Sequence, residues 1–225
     1  MRGSTRSGVV GRQCDRRHRS VTGWRKIFGE KRGGSDIRKR SSLEIDMSKT
    51  ESQAHYAQAD KDDWQTPPAL LANIRAALGD IDLDPCPGED THIGRMNYYE
   101  SEGFNGLLAE WFGIVFVNPP FSEKTKWTAK VVEEHLAGRT DVIMLVTPDS
   151  TDVQSWFHGD IVPHADYVWF SEGRVSYIDP ETGKTAGSPT FGTAISVFVN
   201  DDYDLPEELL DFFSETGWLV EEVSR

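Results

Sequence analysis

Apolar and polar positions settle into a regular pattern only from about Asp62 onward. Leu70, Leu71, Ile74, Ala77 and Leu78 recur at the spacing of one helical face. Thr66-Pro67 ahead of them predicts a helix start, with a hydroxyl N-cap and a proline whose missing N–H costs nothing in the first turn. Gly79 predicts the stop. Ile81-Asp82-Leu83-Asp84 reads as a short strand ending at Pro85. From 86 to 110, Gly88, Gly94, Gly103 and Gly106 interrupt any period, which predicts loop. The unbroken apolar run 114–117 suits a strand buried on both faces of a parallel sheet, and it stops at Asn118-Pro119-Pro120. Residues 123–137 follow as a helix capped by Ser122, with Trp127, Val131 and His135 on one side. A second buried strand covers 142–146, and a short helix carrying Trp156, Phe157 and Ile161 ends at Pro163. Residues 167–170 form another strand, 179–187 a turn-rich excursion, and 193–199 the last strand. A terminal amphipathic helix, capped by Asp204, runs through Leu209, Leu210 and Phe213.

This alternation predicts an α/β fold with a mainly parallel sheet. Ligands of such sheets sit at the carboxyl ends of strands, and both Asp84-Pro85 and Asn118-Pro119-Pro120 fall at predicted strand ends.

Composition adds an asymmetry. Residues 1–50 hold 14 Lys/Arg against 5 Asp/Glu, whereas 51–225 hold 10 against 32, giving the chain its net charge of −13. The basic stretch lacks apolar periodicity and is expected to be an unstructured extension, with Met47-Ser48-Lys49 the expected start of a shorter protein and an ordered domain over 60–225. A nucleic-acid-binding arm is the alternative. The acidic, lysine-poor body suits concentrated salt, where screening removes repulsion from DNA. No apolar run is long enough to span a bilayer, no secretory signal is present, and two cysteines offer no disulfide framework. These absences predict a cytoplasmic protein.

Asn118-Pro119-Pro120-Phe121 carries the chemistry. An aromatic exocyclic amine is a poor nucleophile because its lone pair is delocalised into the ring. Two acceptors for its N–H protons, the Asn118 side-chain carbonyl and the Pro119 backbone carbonyl, would let the nitrogen become tetrahedral. Prolines stiffen the turn and add no competing N–H. Phe121 offers a face on which an extruded base could stack.

Several motifs occur in order: Asp63-Trp64-Gln65-Thr66-Pro67, Asp82-Leu83-Asp84-Pro85-Cys86, Asn97-Tyr98-Tyr99, Asn105-Gly106-Leu107, Trp111, Asn118 to Ser122 with Trp127, and Gly173-Arg174-Val175. Together they make the chain resemble the phage-type, Dam-like DNA N6-adenine methyltransferases. The resemblance implies a Rossmann-like methyltransferase fold, its sheet mainly parallel with an antiparallel last strand, and S-adenosylmethionine as donor. It implies that Asp84, Pro85 and Cys86 hold the methionine part of the cofactor, with Asp84 accepting from the ammonium group. Trp64 and Thr66 would close over the cofactor, and Asn118 to Phe121 would form the adenine pocket. Glu100 or Glu102 would bind the ribose. The chain departs from the family where Asn105 replaces the usual Asp and Phe121 the commoner Tyr. No Gly-x-Gly loop follows Asp84.

Ser122, Lys124, Trp127 and Arg174 are the expected substrate contacts, with Lys124, Lys126 and Lys130 read either as meeting the DNA backbone or as a solvated helix face. Arg174 is equally open to pairing with a neighbouring acid. Cys86 reads as a packed residue rather than a nucleophile. The histidines have no metal-ligand spacing, so no metal is expected. Two other readings remain: amino methylation of RNA guanine or protein glutamine, and a non-catalytic acidic DNA mimic that keeps the fold.

Overall fold

The computed structural model describes residues 64–88, 91–180, 182–185 and 189–221. The basic stretch 1–50 and the expected start at Met47 lie outside them. Seven strands form one sheet: β1 (Leu83–Asp84), β2 (Met96–Asn97), β3 (Gly113–Val117), β4 (Thr140–Pro148), β5 (Tyr167–Ser171), β6 (Thr193–Val199) and β7 (Gly217–Glu221). Their order is β2-β1-β3-β4-β6-β5-β7. The first four neighbours run parallel, β6 is antiparallel to β4 and β5, and β7 is antiparallel to β5. The fold is thus α/β with a mostly parallel first half, consistent with a Rossmann-like methyltransferase.

Period-two alternation divides the apolar strands between two cores. Ile114 and Phe116 of β3, with Val142, Met144 and Val146 of β4, pack under helices α1 (Pro68–Leu78) and α4 (Glu207–Thr216), which contribute Leu70, Leu71, Ile74, Leu209 and Phe213. Val115, Val117, Ile143 and Leu145 point the other way. There they meet Trp127 and Val131 of α2 (Lys124–Leu136) and Trp156 and Ile161 of a π-helix (Gln154–Ile161), which runs into the short α3 (Val162–His164).

Several expectations change. The helix at Pro163 does not end there: proline occupies an early position of the next turn, where its missing N–H costs nothing, and helix continues to His164. Thr66, Ser122 and Asp204 are not helix caps. The N-cap positions fall to Pro67, Glu123 and Pro206, none with a side-chain capping bond. The 86–110 stretch contains β2 and a 3₁₀ turn, Glu100–Glu102. The strand 193–199 is not the last, because β7 closes the sheet edge.

The chain leaves β1 for β2 on one side and returns to β3 on the other. Strand order therefore reverses between β1 and β3, the point of an α/β sheet where a ligand crevice opens at the carboxyl ends.

Candidate active site

A cavity of about 770 Å³ opens at this reversal, lined among others by Trp64, Thr66, Asp84, Cys86, Asn118 and Trp127. Asp84 closes β1, and Asn118 is the first residue after β3. Parallel pairing of β1 with β3 therefore sets the two motifs side by side, and the Asn118 backbone N–H faces the Cys86 thiol.

Asp84 is 2 % exposed, and burial pushes its carboxyl up from 3.8 to about 7, while the Cys86 N–H donates to Oδ1 at 3.1 Å in the opposing sense. A buried acid of this kind gains most from a cationic partner. Burial and the Asp84 charge push the Cys86 thiol well up, which disfavours the thiolate a nucleophile needs.

Asn118 is oriented from 54 residues away. Its Nδ2 donates to the Trp64 backbone carbonyl at 2.7 Å. A carbonyl can only accept, so the contact fixes which end of the amide points where. Oδ1 is left buried without a hydrogen-bond partner among the described residues. Thr66 Oγ1 and Trp127 Nε1, both buried on the cavity wall, are likewise unpartnered. A cavity lined by a raised carboxylic acid, an unmet amide oxygen and an unmet indole N–H suits a polar ligand bearing a cationic group, an N–H donor and an acceptor.

Two glycines that break the sequence period allow close approach. A Cβ on Gly106 would fall 1.9 Å from the Pro85 carbonyl oxygen, and one on Gly94 would fall 2.6 Å from the Asp84 nitrogen. The loop wall is fixed from behind by Trp111, whose Nε1 donates to the Gly106 carbonyl at 2.8 Å and whose N–H donates to the buried Glu134 at 3.1 Å.

The family described as DNA N-6-adenine-methyltransferase (Dam) matches residues 53–214. The chain belongs to this Dam family. It is 25 % identical over 154 residues to the DNA N-6-adenine-methyltransferase of Escherichia phage T1, covering 61 % of this chain and 62 % of that enzyme. It is 24 % identical over 135 residues to the Haemophilus phage HP1 enzyme of the same name, covering 59 % and 76 %. The match thus spans less than two thirds of the phage T1 enzyme. Membership of the Dam family implies S-adenosylmethionine as methyl donor.

Within this Dam chain the remaining expected residues divide. Pro85, Glu100, Glu102, Asn105 and Pro120 line the same cavity, whereas Pro119, Phe121, Ser122, Lys124 and Arg174 do not. Glu100 and Glu102 lie just beyond β2, in the 3₁₀ turn that follows it. Asn105, which departs from the Dam pattern, accepts from the Leu107 N–H at 3.0 Å and so keeps the turn without the charge. Phe121 meets Tyr177 and Phe191 edge-on, with centroids 6.2 and 5.3 Å away. Lys124 donates to the Phe121 carbonyl at 2.9 Å. Neither reading of Lys130 holds. It is buried and ion-paired to Glu134 at 2.6 Å, which leaves its ammonium group neither solvated nor free for a phosphate. Arg174 is exposed and donates to the Pro189 carbonyl.

Tyr177 and Phe191 have no signal in the sequence order, because each meets Phe121 only across a long stretch of chain. Among the described residues no cluster of three or more His, Cys, Asp or Glu side chains is placed to hold a metal ion, and no helix is long and apolar enough to cross a membrane.

Proposed function

We propose that the chain methylates the N6 amino group of adenine in DNA, with S-adenosylmethionine as donor, in the cytoplasm of a phage-bearing host. The observation that carries this reading is the Asn118 amide, held by the Trp64 carbonyl with its own oxygen buried and unpartnered beside Asp84. When bound, the cofactor supplies an electrophilic methyl group on a sulfonium.

Asp84 would accept from the ammonium group, and the charge it gains there would offset the burial that raises its pKa. Pro85, Cys86, Thr66 and Trp64 would wall the methionine end, and Glu100 would take ribose hydroxyls. Asn118 Oδ1 would accept one N–H of the adenine amino group and the Pro119 carbonyl the other, drawing the nitrogen lone pair out of conjugation with the ring. Preorganised acceptors of this kind act where charge develops. No residue need act as a strong base, because the proton leaves after the methyl group has arrived. Phe121 would flank the base, its ring held by Tyr177 and Phe191. Trp127 and Ser122 would complete the substrate wall, and Lys124 and Arg174 would face the phosphates.

Labelled methyl transfer to unmethylated duplex DNA, read by nucleoside mass spectrometry, tests the reaction. N6-methyladenine is the expected product, and N4-methylcytosine in its place would overturn the assignment.

A further inference from the structure

Between β5 and β6 the chain makes an excursion whose inner edge reaches the site by two routes. The first is backbone. Gln65 N–H donates to the Ile178 carbonyl at 3.1 Å and Ile178 N–H donates back to the Gln65 carbonyl at 2.9 Å, an isolated antiparallel bridge. Gln65 is the neighbour of Trp64, whose carbonyl holds the Asn118 amide. The second route is aromatic. Tyr177 is 2 % exposed, its hydroxyl bonds to Thr193 Oγ1 at 3.0 Å, and its ring, together with Phe191, meets Phe121.

The excursion is itself tied down. Ile178 also bridges Thr185, and the Asp179 N–H donates to the Lys184 carbonyl at 2.9 Å, closing a small hairpin. Its far end is fastened to the carboxyl end of β4, where Asp149 N–H donates to the Gly192 carbonyl at 3.0 Å and Asp149 Oδ1 accepts from Gly192 N–H at 3.2 Å. Its outer side carries Arg174 and Lys184, both exposed and neither ion-paired to an acid among the described residues. By contrast Arg95, Lys126, Lys130 and Arg139 are all committed to carboxylates.

We propose that this excursion is an alignment device: DNA phosphates engage Arg174 and Lys184 on its outer side, and the Gln65–Ile178 bridge on its inner side transmits that docking to the rotamer of Asn118. Ile178 is then a positioning residue, acting through Gln65 and the Trp64 carbonyl from outside the cavity wall. The inference rests on the amino-methylation reading above.

The test is a double-mutant cycle in the full chain. Ile178→Pro removes the N–H that donates to Gln65. Asn118→Asp keeps an oxygen acceptor and removes the donor to Trp64. Single-turnover methyl transfer to duplex DNA is expected to fall roughly tenfold or more in Ile178→Pro, with cofactor affinity within about twofold of the parent. In the Asn118→Asp background the same change should cost less than about twofold, since the link is already cut. Multiplying losses, or an undiminished rate in Ile178→Pro, would overturn the coupling. Because Ile178→Pro could disturb folding, amide hydrogen exchange in the unaltered chain supplies a second readout. Gln65 and Ile178 N–H protons should slow together when duplex DNA is added, and unchanged exchange in saturated complex would overturn the proposal. Full activity in an Asn118→Ala variant would overturn the functional reading itself, and the coupling with it.

Discussion

Asp84 and Asn118 ask opposite things of their surroundings. Burial raises Asp84 to about 7, so the folded chain binds its proton more tightly than the unfolded chain does. Its contribution to stability is full below about pH 4 and is lost as pH rises through 7. Asp84→Asn should therefore melt higher than the parent at pH 8, with the difference shrinking at pH 5, while calorimetry finds cofactor binding lost. In the parent, cofactor affinity should fall as pH drops through 7, because binding there must release the Asp84 proton. Proton release can be read by calorimetry in buffers of different ionisation enthalpy. Asn118 is an acceptor rather than a titrating group. Asn118→Ala should lower the rate of methyl transfer by about a hundredfold or more with cofactor affinity unchanged, the usual cost of one preorganised hydrogen-bonding group. A parallel loss of cofactor binding would assign Asn118 to the cofactor instead.

At the scale of elements, the lysines of helix α2 differ from the exposed basic residues of the 172–192 excursion in their partners: Lys126 and Lys130 are ion-paired to carboxylates, and Arg174 donates to a main-chain carbonyl. Burial pushes Glu134 up, but hydrogen bonds from Lys130, the Trp111 N–H and Arg139 outweigh it and hold the carboxyl below its ordinary value. Lys130→Ala removes one of the two cations on the buried Glu134, leaving Arg139 in place, and should cost about 2 kcal/mol in denaturant unfolding, the scale of one hydrogen bond to a charged group. The salt dependence of DNA binding should stay as it was. Arg174→Ala and Lys184→Ala should each reduce the slope of log affinity against log salt by about one. Strands β3 and β4 were legible because burial on both faces demands unbroken apolar runs. Strand β2 was not: it has two residues, Met96 is exposed, and its place comes from hydrogen bonds to β1 rather than from any period. Strand β7 is an edge whose exposed Trp218 and Glu221 carry no core signal, and only pairing with β5 defines it. Asp84 and Asn118 could be read as candidates from strand ends and motif chemistry. Trp64, Tyr177 and Phe191 converge on that motif only after the sheet has closed.

For the whole molecule, charge is the governing quantity. Residues 51–225 hold 32 acidic and 10 basic side chains, and much of the described positive charge is already paired. Self-repulsion of this size opposes the compact state. Raising potassium chloride from about 0.1 to 1 M shortens the screening length from about 10 to 3 Å, so the melting temperature should climb over that range. A flat or falling curve would show that the acidic surface is not a burden at low salt.

The group that aims Asn118 is a main-chain oxygen. Replacing the Trp64 side chain leaves that oxygen in place, and an alanine scan of the cavity would pass over it without a signal. The constraint that keeps this oxygen in place is written instead in Ile178, which lies off the cavity wall and would be scored as a bystander there.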